Sequence, residues 1–371
     1  MSESQLIKNK RILVLANFDM GLYKFRKALL QELIRLENEV YIALPNGEFI
    51  PELEKMGCHF VETELDRRGM NPLRDISLYK QYLKILKELK PDLVIAYTIK
   101  PNIYGGFACR MTKIPFAANI TGLGSAIEGG GILQKLVFAM YKAGLAKAKV
   151  VFFENAGNCD VLVNAGVVKS EKTCVLNGAG IDTEEYPLLP YPTEKPIRFL
   201  FVGRIMKEKG VDELFEAKTQ LKAEYGTDVV LDVVGMFEES YQQTIERLQS
   251  DGIIEFHGYQ TDVKPFYKAA HCVVLPSYHE GMSNVLLEGA SSGRPLITSR
   301  IHGCMEAVED GVSGFLCEVR DAEALYDAMK RFAALPRAEK IRFGYAGRAR
   351  METMFDKRQV VAETVRRLFD A

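Results

Sequence analysis

Short apolar runs alternate with amphipathic helical stretches along the whole chain, and that alternation constrains the fold more than any other feature. A run such as RILVLAN or DLVIAY lacks a polar face, so it suits a strand covered on both sides. A chain that alternates such strands with helices builds a parallel sheet with helices on each face. RILVLAN, VYIAL, HFVET, DLVIAY, FAANI, KVVFF and TCVLN are the expected strands of a first half, and FLFVG, VVLDVVG, IIEFHG, CVVLPS, PLITS and GFLCE those of a second. Right-handed crossovers put the strand C-termini on one edge of each sheet, where doubly wound sheets bind ligands. At 371 residues the chain exceeds one ordinary domain of this kind and fits two, with a cleft between them. Pro187, Pro190, Pro192 and Pro196 in YPLLPYPTEKP forbid a continuous helix at the junction. The expected organisation is a first domain over residues 1–186, a stiff connector over 187–196, a second domain over 197–350 and a C-terminal helix over 351–371 able to cross back to the first.

Hydrophobic residues make up 47% of the chain and charged residues 26%, which supplies two apolar cores and excludes disorder. The net charge of −1 gives no bulk attraction to nucleic acid. Cys58, Cys109, Cys159, Cys174, Cys272, Cys304 and Cys317 form no CxxC pair, and most sit in apolar runs, so buried free thiols are expected rather than disulfides or a zinc site. The first apolar run is too short for a signal-peptide core, and none reaches the roughly 20 residues of a membrane span. The expected location is cytoplasmic, with any membrane contact peripheral.

In FLFVGRIMKEKGVDELFEA, a strand leads into a loop bearing Arg204 and Lys209 and then a helix. A guanidinium and an ammonium at a strand's C-terminal edge can converge on a diphosphate, although solvated loop charges would read the same way. CVVLPSYHEGMSNVLLEGASSGRPLITS repeats the strand-loop-helix pattern. Ser283 is the expected helix N-cap there, leaving the amides of Gly281, Met282, Ser283 and Asn284 to bind anionic oxygens. Glu280 and Glu288 flank that turn, and the apolar neighbours of Glu288 imply a carboxylate that needs a partner.

In the first half, Gly21 and Arg26 follow the first strand, Lys100 lies in YTIKPNIYGG, and Thr121 to Ser125 lie in NITGLGSAIEGGG. The full GxGxxG dinucleotide fingerprint is absent, which argues against a dehydrogenase. Between Ile95 and Val150, Lys100, Arg110, Lys113, Lys135, Lys142, Lys147 and Lys149 face the single acid Glu128. The run GGGILQKLVFAMYKAGLAKAKVVFFE reads as a helix, centred on 132–147, in which Lys135, Lys142 and Lys149 recur every seven residues along one edge beside an apolar arc of Leu133, Leu136, Val137, Met140 and Leu145. That pattern suits a helix lying on anionic lipid, and equally a helix covering a sheet.

Glu280, seven intervening residues and Glu288 match the EX7E motif of retaining glycosyltransferases, and with Arg204 and Lys209 the chain resembles glycosyltransferase family 4. NGAGIDTEEYP and HGCMEAVEDGVSGFLCE also resemble that family. The resemblance implies an α/β GT-B fold, two doubly wound Rossmann-like domains facing a central cleft. It implies Arg204 and Lys209 on the diphosphate of a nucleotide sugar, Glu280 on the sugar hydroxyls and Glu288 on the ribose. The amides of residues 281–284 would bind phosphate, Gly258 and Tyr259 would lie near the base, and Gly21 would allow close approach of the donor. YKFR, TIKPNIYG and NITGLGS resemble bacterial members that extend lipid-diphosphate-linked sugars, so Arg26, Lys100, Thr121 and Ser125 are the candidate acceptor residues. Many members carry a histidine where this chain has Asn119, Ile120 and Thr121. The expected reaction moves a hexose or N-acetylhexosamine, UDP-linked, to a lipid-linked saccharide, with no metal and no cofactor beyond the nucleotide-sugar co-substrate. A soluble acceptor, a GT-B epimerase and a non-catalytic nucleotide-sugar sensor are the alternatives.

Overall fold

The structure is a computed structural model that describes residues 8–66, 71–124, 130–193 and 195–370. All thirteen apolar runs form strands. The first seven, β1 (Arg11–Leu15), β2 (Glu39–Leu44), β3 (Cys58–Glu62), β4 (Leu93–Tyr97), β5 (Phe116–Ile120), β6 (Val150–Phe153) and β7 (Thr173–Val175), make one parallel sheet in the order β3-β2-β1-β4-β5-β6-β7. The other six, β8 (Ile197–Val202), β9 (Val229–Val234), β10 (Glu255–Phe256), β11 (Cys272–Leu275), β12 (Leu296–Ser299) and β13 (Gly314–Cys317), make a second parallel sheet in the order β10-β9-β8-β11-β12-β13. Strand order reverses between β1 and β4 in one sheet and between β8 and β11 in the other, and ligands of doubly wound sheets bind at such switch points.

Why these runs lack a polar face is visible in the packing. In the first sheet Ile12 pairs with Val40 and Leu93, and Val14 with Ile42 and Ile95, all in one core layer. Their neighbours Leu13, Leu15, Val94 and Ala96 point into a separate layer on the opposite face. Both faces are covered, so alternation would leave polar groups stranded in one layer or the other. The second sheet has its own core, built on Phe199, Phe201, Leu231, Val233, Val273 and Ile297.

The chain divides into two compact units, and the observed division differs from the expected one. The first runs to Ala179 and resumes at Lys357, while Gly180–Asp356 forms the second. The proline-rich stretch expected as a stiff connector is bound to the second unit. The Leu189 amide donates to the Ser292 carbonyl at 3.3 Å, the Tyr191 hydroxyl to the His271 carbonyl at 2.8 Å, and the Arg294 guanidinium to the Pro190 carbonyl at 2.8 Å. Arg294 is fully buried, and that burial pulls its guanidinium down to about 10. The chain then returns to the first unit through the helix Lys357–Phe369, which places Val360, Val365 and Leu368 in the core layer that holds Leu29 and Leu33 of the helix Lys27–Arg35.

All seven cysteines are free and buried. Burial pushes the Cys58 thiol up to about 11 and that of Cys317 up to about 12, which keeps both protonated and unreactive near neutral pH. Among the described residues no helix is long and apolar enough to cross a membrane.

Candidate functional site

Both switch-point loops of the second sheet carry the residues singled out by sequence. After β8, Gly203 and Arg204 lead to Ile205, which is fully buried and donates its amide to the Met236 carbonyl at 2.8 Å. That anchor fixes Arg204, whose Nη1 lies 3.7 Å from Glu238 Oε2. A tight turn, Lys207–Lys209, then opens into the helix Val211–Tyr225 at Gly210. Gly210 has φ +68, and a Cβ there would stand 2.1 Å from the Pro276 carbonyl, so only glycine lets this loop close on the one after β11. A second tie joins the same loops, from the Tyr278 amide to the Glu208 carbonyl at 2.9 Å.

Across that seam Lys209 Nζ is ion-paired with Glu280 Oε1, which also accepts from Ser277 Oγ at 2.8 Å. The Lys209 and Glu280 side chains are 17% and 14% exposed, enough to meet a ligand yet shielded enough for charge to act strongly. Gly281, Met282 and Ser283 are buried backbone leading into the helix Asn284–Ser291. Ser283 is its N-cap, with extended backbone and a side chain accepting from the Leu286 amide. The Ser283 amide itself donates to the Gly303 carbonyl at 2.9 Å, so a third loop, after β12, holds the turn from behind and takes this amide out of the expected anion cradle.

Glu288 sits one face further along that helix, half-buried, and its Oε2 accepts from the Tyr267 hydroxyl at 2.8 Å. Burial, reinforced by Glu288, raises the pKa of Tyr267 and also that of Tyr186. Gly258 has φ +64 with open space around it, and Tyr259 is exposed. The described residues offer one grouping of metal-type ligands, Asp232, Glu255 and His257. Arg198 already supplies its cation, with Nη1 at 2.7 Å from Asp232 Oδ2 and 3.0 Å from Glu255 Oε2.

In the first unit the candidate residues follow β1, β4 and β5. Gly21 lies inside a helical turn with φ −62, and a Cβ on it would meet nothing within 4 Å. Widened π-type turns, Leu22–Arg26 and Pro101–Gly105, follow both switch-point strands, and such turns gather at functional sites. Arg26, expected to bind the acceptor, is ion-paired with Glu154 and lies 4.9 Å from the centre of the Tyr97 ring. Burial works against its charge, but Glu154 and Tyr97 outweigh it and hold the guanidinium above its ordinary value. Lys100 pairs with Asp75 Oδ1 at 2.7 Å, and Tyr104 donates to the other oxygen at 3.0 Å. Both cations are thus committed to neighbouring carboxylates. Thr121 is half-buried after β5, and Ser125 lies outside the described residues. His59 stays in β3, its ring 4.7 Å from that of Tyr41. Sequence reasoning missed Ser277, Glu238 and Tyr267, polar partners with no motif of their own, and Thr98, a β-branched residue at φ +72 just after β4.

A family model described as glycosyl transferases group 1 matches residues 196–334, and one described as glycosyl transferase 4-like matches residues 11–155. The chain belongs to glycosyltransferase family 4. A relative from Campylobacter jejuni, N,N'-diacetylbacillosaminyl-diphospho-undecaprenol alpha-1,3-N-acetylgalactosaminyltransferase, is 27% identical over 97% of this glycosyltransferase and 98% of its own length. An Escherichia coli relative, UDP-Gal:alpha-D-GlcNAc-diphosphoundecaprenol alpha-1,3-galactosyltransferase, is 26% identical over 82% of this chain and 84% of its own. Among solved structures, Anabaena HepE in complex with UDP and glucose superposes with a TM-score of 0.80 at 19% identity, covering 97% of this chain and 99% of that one. The glycosyltransferase therefore has the GT-B fold, each of its two units a doubly wound parallel sheet.

The helix expected to lie along 132–147 spans Gly131–Leu145 in the glycosyltransferase. Lys149 lies beyond its end, so the lysine edge reduces to Lys135 and Lys142. The expected apolar arc divides. Val137, Met140 and Leu145 pack on the core, whereas Leu133 and Leu136 are exposed, as is Ile132 next to the arc, by 88%.

Proposed function

We propose that the chain transfers a hexose or N-acetylhexosamine from a UDP-linked donor to a lipid-diphosphate-linked saccharide, with retention at the anomeric carbon. The observation that carries this reading is the Lys209–Glu280 pair beside the capped turn 281–284, with Arg204 on the same loop as Lys209, at the switch point of the second sheet. Arg204 and Lys209 take the diphosphate, helped by the amides of Gly281, Met282 and Asn284. Glu280 accepts sugar hydroxyls and Glu288 the ribose. The acceptor hydroxyl attacks the anomeric carbon on the side the diphosphate leaves, the bond from that carbon to the diphosphate oxygen breaks, and the proton passes to the departing phosphate. Negative charge grows on that phosphate as the bond breaks, so cations fixed beforehand favour the transition state over the ground state. Two protein cations and the turn amides offset the diphosphate charge, so the reaction is assigned no metal. The relatives named above, whose own acceptors are diphosphoundecaprenol-linked sugars, support the choice of acceptor.

Exposed Ile132, Leu133 and Leu136 beside Lys135 and Lys142 support peripheral contact with an anionic bilayer on its cytoplasmic side. Each lysine near such a surface contributes about 1 kcal/mol. The test incubates the protein with a panel of UDP-sugars and undecaprenyl-diphosphate saccharides, with and without EDTA, and reads UDP release and product anomer by NMR. Transfer with an α-linked product that survives EDTA is expected. Turnover only on water-soluble sugars, with failure to float with anionic vesicles, would overturn the lipid-linked assignment.

A further inference from the structure

Off the C-terminal ends of β1 and β2 the first unit carries a half-open cavity of about 300 Å³, at the lower end of the range for small-molecule sites. Its walls come from Asn17 to Met20 after β1, from Pro45 to Phe49 after β2, and from Leu65 after β3. Two contacts fix its shape. Asp19 is buried, and its Oδ2 accepts from the Phe49 amide at 2.7 Å, which ties the β1 and β2 loops together. Gly47 presses so closely on that carboxylate that a Cβ would stand 2.3 Å from Oδ2. The Phe49 ring also stacks on Tyr23, with centroids 5.0 Å apart and planes 25° from parallel.

The lining selects a class of ligand. Among the described lining residues the charged groups are the carboxylates of Asp19 and Glu48, and none is a cation. A phosphate or diphosphate there would meet like charge without a counter-ion, which is unfavourable in a partly desolvated site. A neutral, polyhydroxylated ring meets none of that penalty. The side-chain amide of Asn17 can donate to and accept from its hydroxyls, the Asn46 Nδ2 can donate while its Oδ1 accepts from the Gly47 amide at 2.9 Å, and the Glu48 carboxylate can accept. Phe18, Phe49 and Leu65 offer apolar surface to the C–H face of a pyranose or to the methyl of an acetamido group.

We infer that this cavity holds an uncharged sugar ring of the acceptor, with Asn17, Asn46 and Glu48 as hydroxyl ligands and Asp19 as a positioning residue that keeps the two loops joined. The inference rests on the proposed transfer to a saccharide acceptor and adds where one of its sugars binds. It also explains why the committed cations Arg26 and Lys100 are not needed for that sugar: the ring is recognised through hydroxyls, not charge.

Two variants test it. Asn46→Ala removes an exposed loop amide and leaves the core intact, and Leu65→Trp fills the cavity from its β3 side. Loss of a hydrogen bond or of the ring's space raises the acceptor KM about tenfold or more in each, with donor KM and acceptor-independent UDP release unchanged. An acceptor KM at the wild-type value in Asn46→Ala overturns the proposal, whether or not Leu65→Trp folds, as does a rise in donor KM in place of acceptor KM. Failure of the wild-type protein to transfer to any saccharide would instead defeat the proposed function, and it would show before either variant is made.

Discussion

Lys209 and Glu280 stand 71 positions apart in sequence and meet as an ion pair, with Ser277 as a third member. Their residue types and strand-end positions were legible, because a cation after one strand and a carboxylate after another are what a diphosphate sugar requires. Their contact was not, since pairing depends on Gly210 passing beneath Pro276, a tertiary closeness that no local pattern encodes. The same applies to Glu288, whose need for a partner could be read from its apolar neighbours while Tyr267 could not be named. Arg26 is a similar case: its charge could be read from sequence, while its partner Glu154, 128 positions away, could not. Removing a fixed cation from the departing phosphate costs about 2 kcal/mol or more of transition-state stabilisation, so Lys209→Ala should lower kcat at least about thirtyfold. Steady-state kinetics check this, and near-normal turnover would refute the role given to Lys209.

The strands were legible as elements because both faces of each sheet are buried, which leaves an unbroken apolar run as the only workable composition. The proline-rich stretch misled for a physical reason. Prolines forbid a helix, but they do not forbid packing, and Arg294 and Arg348 hold the carbonyls of Pro190, Thr183 and Tyr186 against the second unit. The terminal helix Lys357–Phe369 is the element whose loss the first unit should feel most. Leu368 is 1% exposed in the layer that also holds Leu29 and Leu33, so Leu368→Ala should cost about 2–5 kcal/mol. Urea unfolding measures it, and UDP affinity should stay unchanged because the residues proposed to hold the donor belong to the other unit. A shift below about 1 kcal/mol would mean that the helix is not an integral part of that core.

At the scale of the molecule, each unit has its own core, and the four residues proposed to hold the donor lie in the second unit. A ligand stabilises what it binds by an amount set by its concentration over Kd, about 2.7 kcal/mol at a hundredfold excess. Saturating UDP should therefore slow hydrogen exchange around residues 203–210 and 280–288 and leave β2 and β3 unaffected. Equal protection of both sheets would contradict a donor grip confined to the second unit. Separate cores also bear on how the protein comes into being. The second unit is, in sequence terms, an insertion between the bulk of the first and its closing helix. A ribosome adding about 5–20 residues per second must finish Gly180–Asp356 before Lys357–Phe369 emerges, so the nascent first unit waits on the order of ten seconds or longer with Leu29 and Leu33 uncovered. The half that begins first is completed last, and in that interval the chain offers chaperones an apolar face that the finished enzyme hides.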